Sequence, residues 1–320
     1  MKNALTLGLV LGLAACTTPP DPVTSLGNDW TLSPLLGGMV APSVATPGCP
    51  PEGWDRPELD ALKASGFEVA DDAARQAFAK AITACLASPD PLLRDGIAYE
   101  ALSHMLRAKQ LADPTKRALL ADLEARLQAE DPLGFGQPFA ALALSEVARA
   151  DRIDAYLTED ELVKLLVEAQ HWFINISDYR GFSDSEGWRH AVAHGSDLLM
   201  QLALNPRIDA EGLRVIVSAV GNQVAPASHA YVHGEPERLA RPILFAAQRG
   251  ALSEAEWTQW LAALAQPADP DKVFATEAGL TWRNNTMGFL LALYANVALS
   301  ADPALDVLRP GLEAALKAMP

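Results

Sequence analysis

Residues 178–205 read DYRGFSDSEGWRHAVAHGSDLLMQLALN, and this stretch decides how the chain is read, because apolar residues recur at helical spacing while ionisable ones gather on one side. Asp184 or Ser185 can cap a helix over 185–204 whose first turn carries Glu186. At about 100° per residue, Glu186, His190, His194 and Asp197 fall within an arc of about 80°, with Gln201 in the same sector. Trp188, Val192, Leu199 and Leu202 take the opposite side, together with Gly195, whose missing side chain lets a neighbouring helix approach. The spacing predicts one face that packs, Trp188 and Val192 included. It predicts another that lines a solvent-reachable pocket, where two imidazoles and two carboxylates in adjacent turns can meet one another or a shared ligand.

Outward from this helix, the sequence after Pro57 is a succession of helix-length segments divided by short breakers, with no run of strand-like alternation. Candidate helices include 91–109, 137–150, 159–177, 209–224, 236–249 and 284–299. Asp90-Pro91, Asp113-Pro114 and Asp302-Pro303 each put a capping residue before a proline at the first helical position, and Asn284-Asn285-Thr286 reads as the cap of the helix after it. The fold class is all-α. Ile97–Ser103 aligns with Phe139–Ser145 at an offset of 42, each after an Asp-Pro-Leu start. Two helices in about 40 residues is the period of a HEAT- or armadillo-like α-α superhelix, since one hairpin cannot bury its own apolar face. A closed α/α toroid is the alternative.

Two further histidines, His229 and His233, lie in a loop that follows Pro226 and leads to a helix with Glu235, Pro236 and Glu237 at its start. In a stacked array this loop approaches one end of the His190 helix, with Arg238 beside it. The four histidines, with Glu186, Asp197 and Glu235, are ligands enough for zinc or a similar divalent metal. The same residues also suit a metal-free polar binding or catalytic groove, or histidines packed for structure alone. His-Glu-x-x-His is absent, as are a Gly-rich phosphate loop, a nucleophile elbow and a dinucleotide fingerprint. Arg94, Asp95, Tyr99 and Glu100 form a second polar group that suits bonding between repeats. Arg238 and Arg241, three apart, suit an internal carboxylate. Trp257 and Trp260 recur at core spacing.

Four segments resemble those of a bacterial family, the domain of unknown function 2785 family. They are Arg180-Gly181-Phe182 with Gly187-Trp188-Arg189-His190-Ala191-Val192-Ala193-His194-Gly195, then Leu93 to Leu102, Gly234 to Arg241, and Asn285 to Tyr294. They cover residues 85 to 300. The resemblance implies an all-helical repeat fold and supplies no activity.

Forty acidic against 25 basic side chains give a net charge of −15, which disfavours nucleic acid as a partner. Lys2 precedes an apolar run from Ala4 to Ala15 that is too short to span a bilayer and reads as an export signal over 1–15. Leu13-Ala14-Ala15-Cys16 resembles the lipobox of bacterial lipoproteins. That resemblance implies cleavage before Cys16, a lipid on its thiol, and, with Thr17 rather than Asp next, an outer-membrane anchor facing the periplasm. Residues 16–53 then form a tether, with eight prolines and five glycines between Thr17 and Gly53, and 54–320 the helical domain. Cys49 and Cys85 remain, either as a disulfide permitted outside the inner membrane or with Cys85 as a small buried hydrophobe.

The reading is of a lipid-anchored envelope protein whose groove holds a protein, peptide or small polar ligand. The alternative is a hydrolase, with or without metal, that uses the same histidines. Mass spectrometry of the mature N-terminus is expected to find lipid-modified Cys16; a water-soluble product that begins elsewhere removes the anchor.

Overall fold

The computed structural model describes residues 46–320, and within them the chain is all-α apart from one short hairpin. Cap chemistry sets where the helices begin. α1 (Arg56–Ala64) opens on a capping box of Asp55 and Glu58, and α2 (Asp72–Ala81) opens on Asp71 and runs into a 3₁₀ turn, Ile82–Ala87. Asp90 caps α3 (Pro91–Leu93), which continues through a π turn at Arg94–Tyr99 into α4 (Glu100–Arg107). α5 (Asp113–Gln128) and α6 (Gly136–Ile153) follow, then α7 (Glu159–Ile174) behind a Thr158–Glu161 box. A two-residue ladder, β1 (Phe182–Ser183) with β2 (Gly187–Trp188), sets Phe182 opposite Trp188. The chain closes with α8 (Ala191–Leu204), α9 (Ala210–Gln223), α10 (Glu235–Gln248), α11 (Glu254–Leu264), α12 (Glu277–Leu299) and α13 (Arg309–Ala318).

α4, α6, α8, α10 and α12 pack in succession as one layer. α5, α7 and α9 form a second, and join the first through α5 on α6, α7 on α8 and α9 on α10. The segments 42 residues apart, Ile97–Ser103 and Phe139–Ser145, therefore fall in consecutive members of the first layer. A helix enclosed on several sides needs small and apolar residues around most of its circumference. α6 and α8 supply them, with Phe139 through Ala148 and Ala191 through Met200 buried. Gly195 is required in this packing, because a Cβ there would collide with the Phe173 ring of α7. Val192, Leu199, Leu202 and Trp257 are core residues, as their spacing predicts. Among the described residues α1 and α2 make no extensive contact with α11, α12 or α13.

α12 begins seven residues before the predicted start. Thr276 caps it through the Gly279 N–H, so Asn285 and Thr286 lie inside the helix and are buried rather than capping it. At the other end Cys49 and Cys85 are bonded to each other. Cys85 is also fully buried, but as one half of the disulfide and not as a lone small hydrophobe. The bond and the burial of Pro51 lay the last residues of the predicted tether on the domain. Residues 1–15, Cys16 and the tether to residue 45 lie outside the described residues. Reduction, or the paired change Cys49→Ser and Cys85→Ser, is expected to cost about 2–4 kcal/mol in urea unfolding, since the bond closes a long loop in the unfolded chain.

Candidate functional site

The helix predicted to start at residue 185 starts instead at Ala191. Gly187 and His190 have left-handed backbones, φ 72° and φ 57°, which a continuous helix does not allow. The chain folds back, and the N–H of Arg189 donates to Gly181 O at 2.8 Å and that of His190 to Arg180 O at 3.1 Å. Glu186 is thereby removed from the face of His194 and Asp197 and pairs with Arg189 at 3.0 Å. Asp184 and Ser185 are exposed turn residues, not caps. Holding an imidazole-bearing residue left-handed costs on the order of 1 kcal/mol, a cost carried by the residue at the centre of the cluster.

His190 is 4% exposed and stacks on Trp188 with ring centroids 4.5 Å apart. Trp188, predicted to face the core, is thus half-buried on the site itself, against Phe182, which is 44% exposed. Glu235, the first residue of α10, places Oε1 3.7 Å from His190 Nε2 and 3.9 Å from His233 Nδ1. Its Oε2 accepts the His233 backbone N–H at 2.9 Å. The His233 ring lies flat on Gly181, where a Cβ would collide with it. Below, His194 is 2% exposed, edge-on to Phe139 at 4.9 Å and 5.7 Å from the His190 ring. Asp197 is gripped by Arg238, with Arg241 at 3.6 Å. Both arginines thus have the internal carboxylate that their spacing suggested.

His190, His194 and Asp197 are buried, so they do not line the predicted solvent-reachable pocket. The surface above them is formed by Phe182, Trp188 and His233. His229 does not join the cluster but stacks on Tyr179 at 5.8 Å. Burial holds the His190 imidazole down at about 3, with the charges of Arg238 and His233 acting in the same direction. His194 is held well below its ordinary value by burial first, then by His190 and Arg238. Both rings are neutral near pH 7. One His190 nitrogen is directed at the His233 backbone carbonyl without close hydrogen-bond geometry, and Nδ1 of His194 and of His233 has no hydrogen-bond partner. Among the described residues no three His, Cys, Asp or Glu side chains are placed to hold a metal ion.

Arg94 and Asp95, which the sequence suggested for bonding between repeats, and Asn285, together with Phe135 and Gln223, which it did not single out, keep this arrangement in place. The Arg94 guanidinium donates to Ser88 O at 2.9 Å and to Glu186 O at 2.8 Å, and rests 4.2 Å from the Phe135 ring, which Arg189 also covers at 4.1 Å. Asp95 pairs with Arg94 at 3.0 Å, yet burial raises it to about 6. On the other flank Asn285 accepts the Tyr231 N–H and donates to His229 O, both at 2.8 Å, and so holds the histidine loop on α12. Gln223 accepts from the Tyr179 hydroxyl and donates to Phe173 O. A cleft of ≈ 350 Å³ opens at the base of the hairpin beside Gln137, Trp172, Asp178 and Ala191.

Fold and site together define an all-α protein with a buried imidazole–carboxylate–guanidinium cluster beneath an aromatic hairpin. Residues 119–295, more than half of the chain, match the family described as Protein of unknown function (DUF2785), and the chain belongs to that family. Three of the four resembling segments lie inside this span, and Leu93 to Leu102 lies before it. No curated protein and no solved structure matches the chain.

The depressed imidazoles make stability depend on pH. Between about 3 and 6.5 the unfolded chain protonates His190 and the folded one does not, so the stability present above pH 6.5 is lost as pH falls through that window. His194 acts in the same direction. Asp95 opposes them, for its contribution is present below 3.8 and is lost as pH rises through about 6. Urea unfolding is expected to show stability falling from pH 6.5 to 4, by up to about 1.4 kcal/mol per pH unit for each net proton. His190→Gln should flatten the decline and Asp95→Asn should steepen it. An unchanged slope in both variants removes this assignment.

Proposed function

We propose that this protein is a lipid-anchored binding protein of the cell envelope, an open stack of helical hairpins held by Cys16 at the outer membrane and facing the periplasm. Its ligand-binding face is the hairpin and histidine loop, where Phe182, Trp188 and His233 form an aromatic ledge over His190 and Glu235. One observation carries the reading: His190 Nε2 and His233 Nδ1 converge on one carboxylate oxygen at 3.7 and 3.9 Å, longer than a hydrogen bond. Nitrogens left this far from a partner cost roughly 1–3 kcal/mol each, and a polar ligand that displaces the half-buried His233 ring supplies one. The open stack is supported by the absence, among the described residues, of any extensive contact between the first and last helices.

A hydrolase built on the same residues is the second reading, favoured by the Glu235 carboxylate beside His190. Its weakness is chemical. A general base works best with a pKa near the working pH, and His190 is held at about 3.

Neutral polar fragments and short peptides, titrated against the protein while the Trp188 indole N–H is followed by NMR, test the first reading. Saturable shifts that disappear in Phe182→Ser and His233→Ala support it, and a library that moves no resonance of this face overturns it. Turnover of a hydrolase panel that is lost in His190→Ala selects the second.

A further inference from the structure

A second cleft, of ≈ 420 Å³, lies at the C-terminal ends of α4 and α6 and the start of α5, away from the histidine cluster. Its apolar part is Leu106, Leu111, Ala150 and Ile153, of which Ile153 is 48% exposed. Charged side chains surround it. Matching them one to one leaves a remainder. Arg107 binds the buried carboxylate of Glu146, Lys109 pairs with Asp154 at 3.1 Å, and Lys116 pairs with Asp113 at 2.7 Å while lying 3.9 Å over the Tyr156 ring. Arg149 lines the same cleft and has no carboxylate, carbonyl or ring partner among the described residues.

Next to it on α6, Arg152 donates only to the uncharged side chain of Gln201, at 3.2 Å. Burial, then the charge of Arg149, holds its guanidinium below the ordinary value. At the same cleft α5 begins without a side-chain cap hydrogen bond and with Asp113 in its first turn. Two guanidiniums three residues apart, neither facing a carboxylate, run against the electrostatics of a chain with net charge −15.

We propose that this cleft binds an amphiphilic organic anion, whose carboxylate or phosphate head is taken by Arg149 and whose hydrocarbon part lies along Ile153. A guanidinium forks onto two oxygens of such a head, and the exposed isoleucine gains from covering by hydrocarbon.

Titration calorimetry on the whole protein with octyl phosphate, octanoate, octylammonium and inorganic phosphate tests this. Octyl phosphate and octanoate should bind, inorganic phosphate more weakly, and octylammonium not at all. Arg149→Gln should weaken octyl phosphate roughly tenfold or more. Ile153→Ser should weaken it by roughly three- to tenfold and leave inorganic phosphate as before. Both residues are partly exposed, so unfolding midpoints should match those of the parent and show that the variants fold. Phosphatidylglycerol vesicles added as competitor distinguish the sources: displacement of octyl phosphate assigns the head to a membrane lipid, and no displacement assigns it to a free amphiphile. No heat from either anion, equal binding of octylammonium, or an Arg149→Gln variant that binds as the parent does overturns the proposal.

Discussion

The Arg94 guanidinium has no exposed surface, and the position of the 181–190 hairpin follows from what it needs. An ionised group taken out of water costs several kcal/mol unless its donors and its charge are met. Here they are met by a carbonyl before α3, a carbonyl at the hairpin tip, the Asp95 carboxylate and the faces of Phe135 and Phe139. Those partners belong to three separate stretches of chain. None can shift without leaving the charge bare, so the hairpin, the start of α6 and the π turn at Arg94 hold one another in place. His190, two residues beyond the hairpin ladder, is positioned by this constraint rather than by its own helix.

Much of the fold was legible because the signals for it are local. Cap residues, helical spacing and the small side chain of Gly195 act within a turn or two, and they marked α6, α7, α9 and α10 closely. The hairpin was not legible, because the arc of Glu186, His190, His194 and Asp197 is equally regular whether or not the chain is helical at 186. Only Gly187 hinted at a break. The bonds that decide it run from Arg189 and His190 back to Gly181 and Arg180, and no periodicity reports them. Asn285 misled for a related reason. Its residue type suits a cap, but Thr276 offered another cap eight residues before the predicted start, and the buried carboxamide was then used across the fold on the histidine loop. The site was therefore found by composition in the right region, with the wrong geometry for Glu186, Trp188 and His229.

The ion pairs carry a regularity that the sequence alone shows only faintly. Glu146 with Arg107, Glu124 with Lys164, Asp197 with Arg238 and Arg214 with Glu256 are separated by 39, 40, 41 and 42 residues. Each joins equivalent positions of neighbouring hairpins. Ala- and Leu-rich helices slide easily over one another, because many registers bury similar area. Opposite charges set one period apart, several of them half-buried, penalise a slip by leaving a carboxylate in the interior unpaired. The repeat is thus recorded more clearly in which charges meet than in which residues recur.

The Cys49–Cys85 bond changes how a pull on the N-terminal chain would travel. The residues between the two cysteines, α1 and α2 among them, form a closed covalent ring. Tension arriving from residues before Cys49 crosses the sulfur bridge and enters at the 3₁₀ turn after α2. The ring is bypassed and bears none of the load. The first element asked to resist is the turn packed against α5 and α6, so the N-terminal end of the described fold is shielded from unravelling.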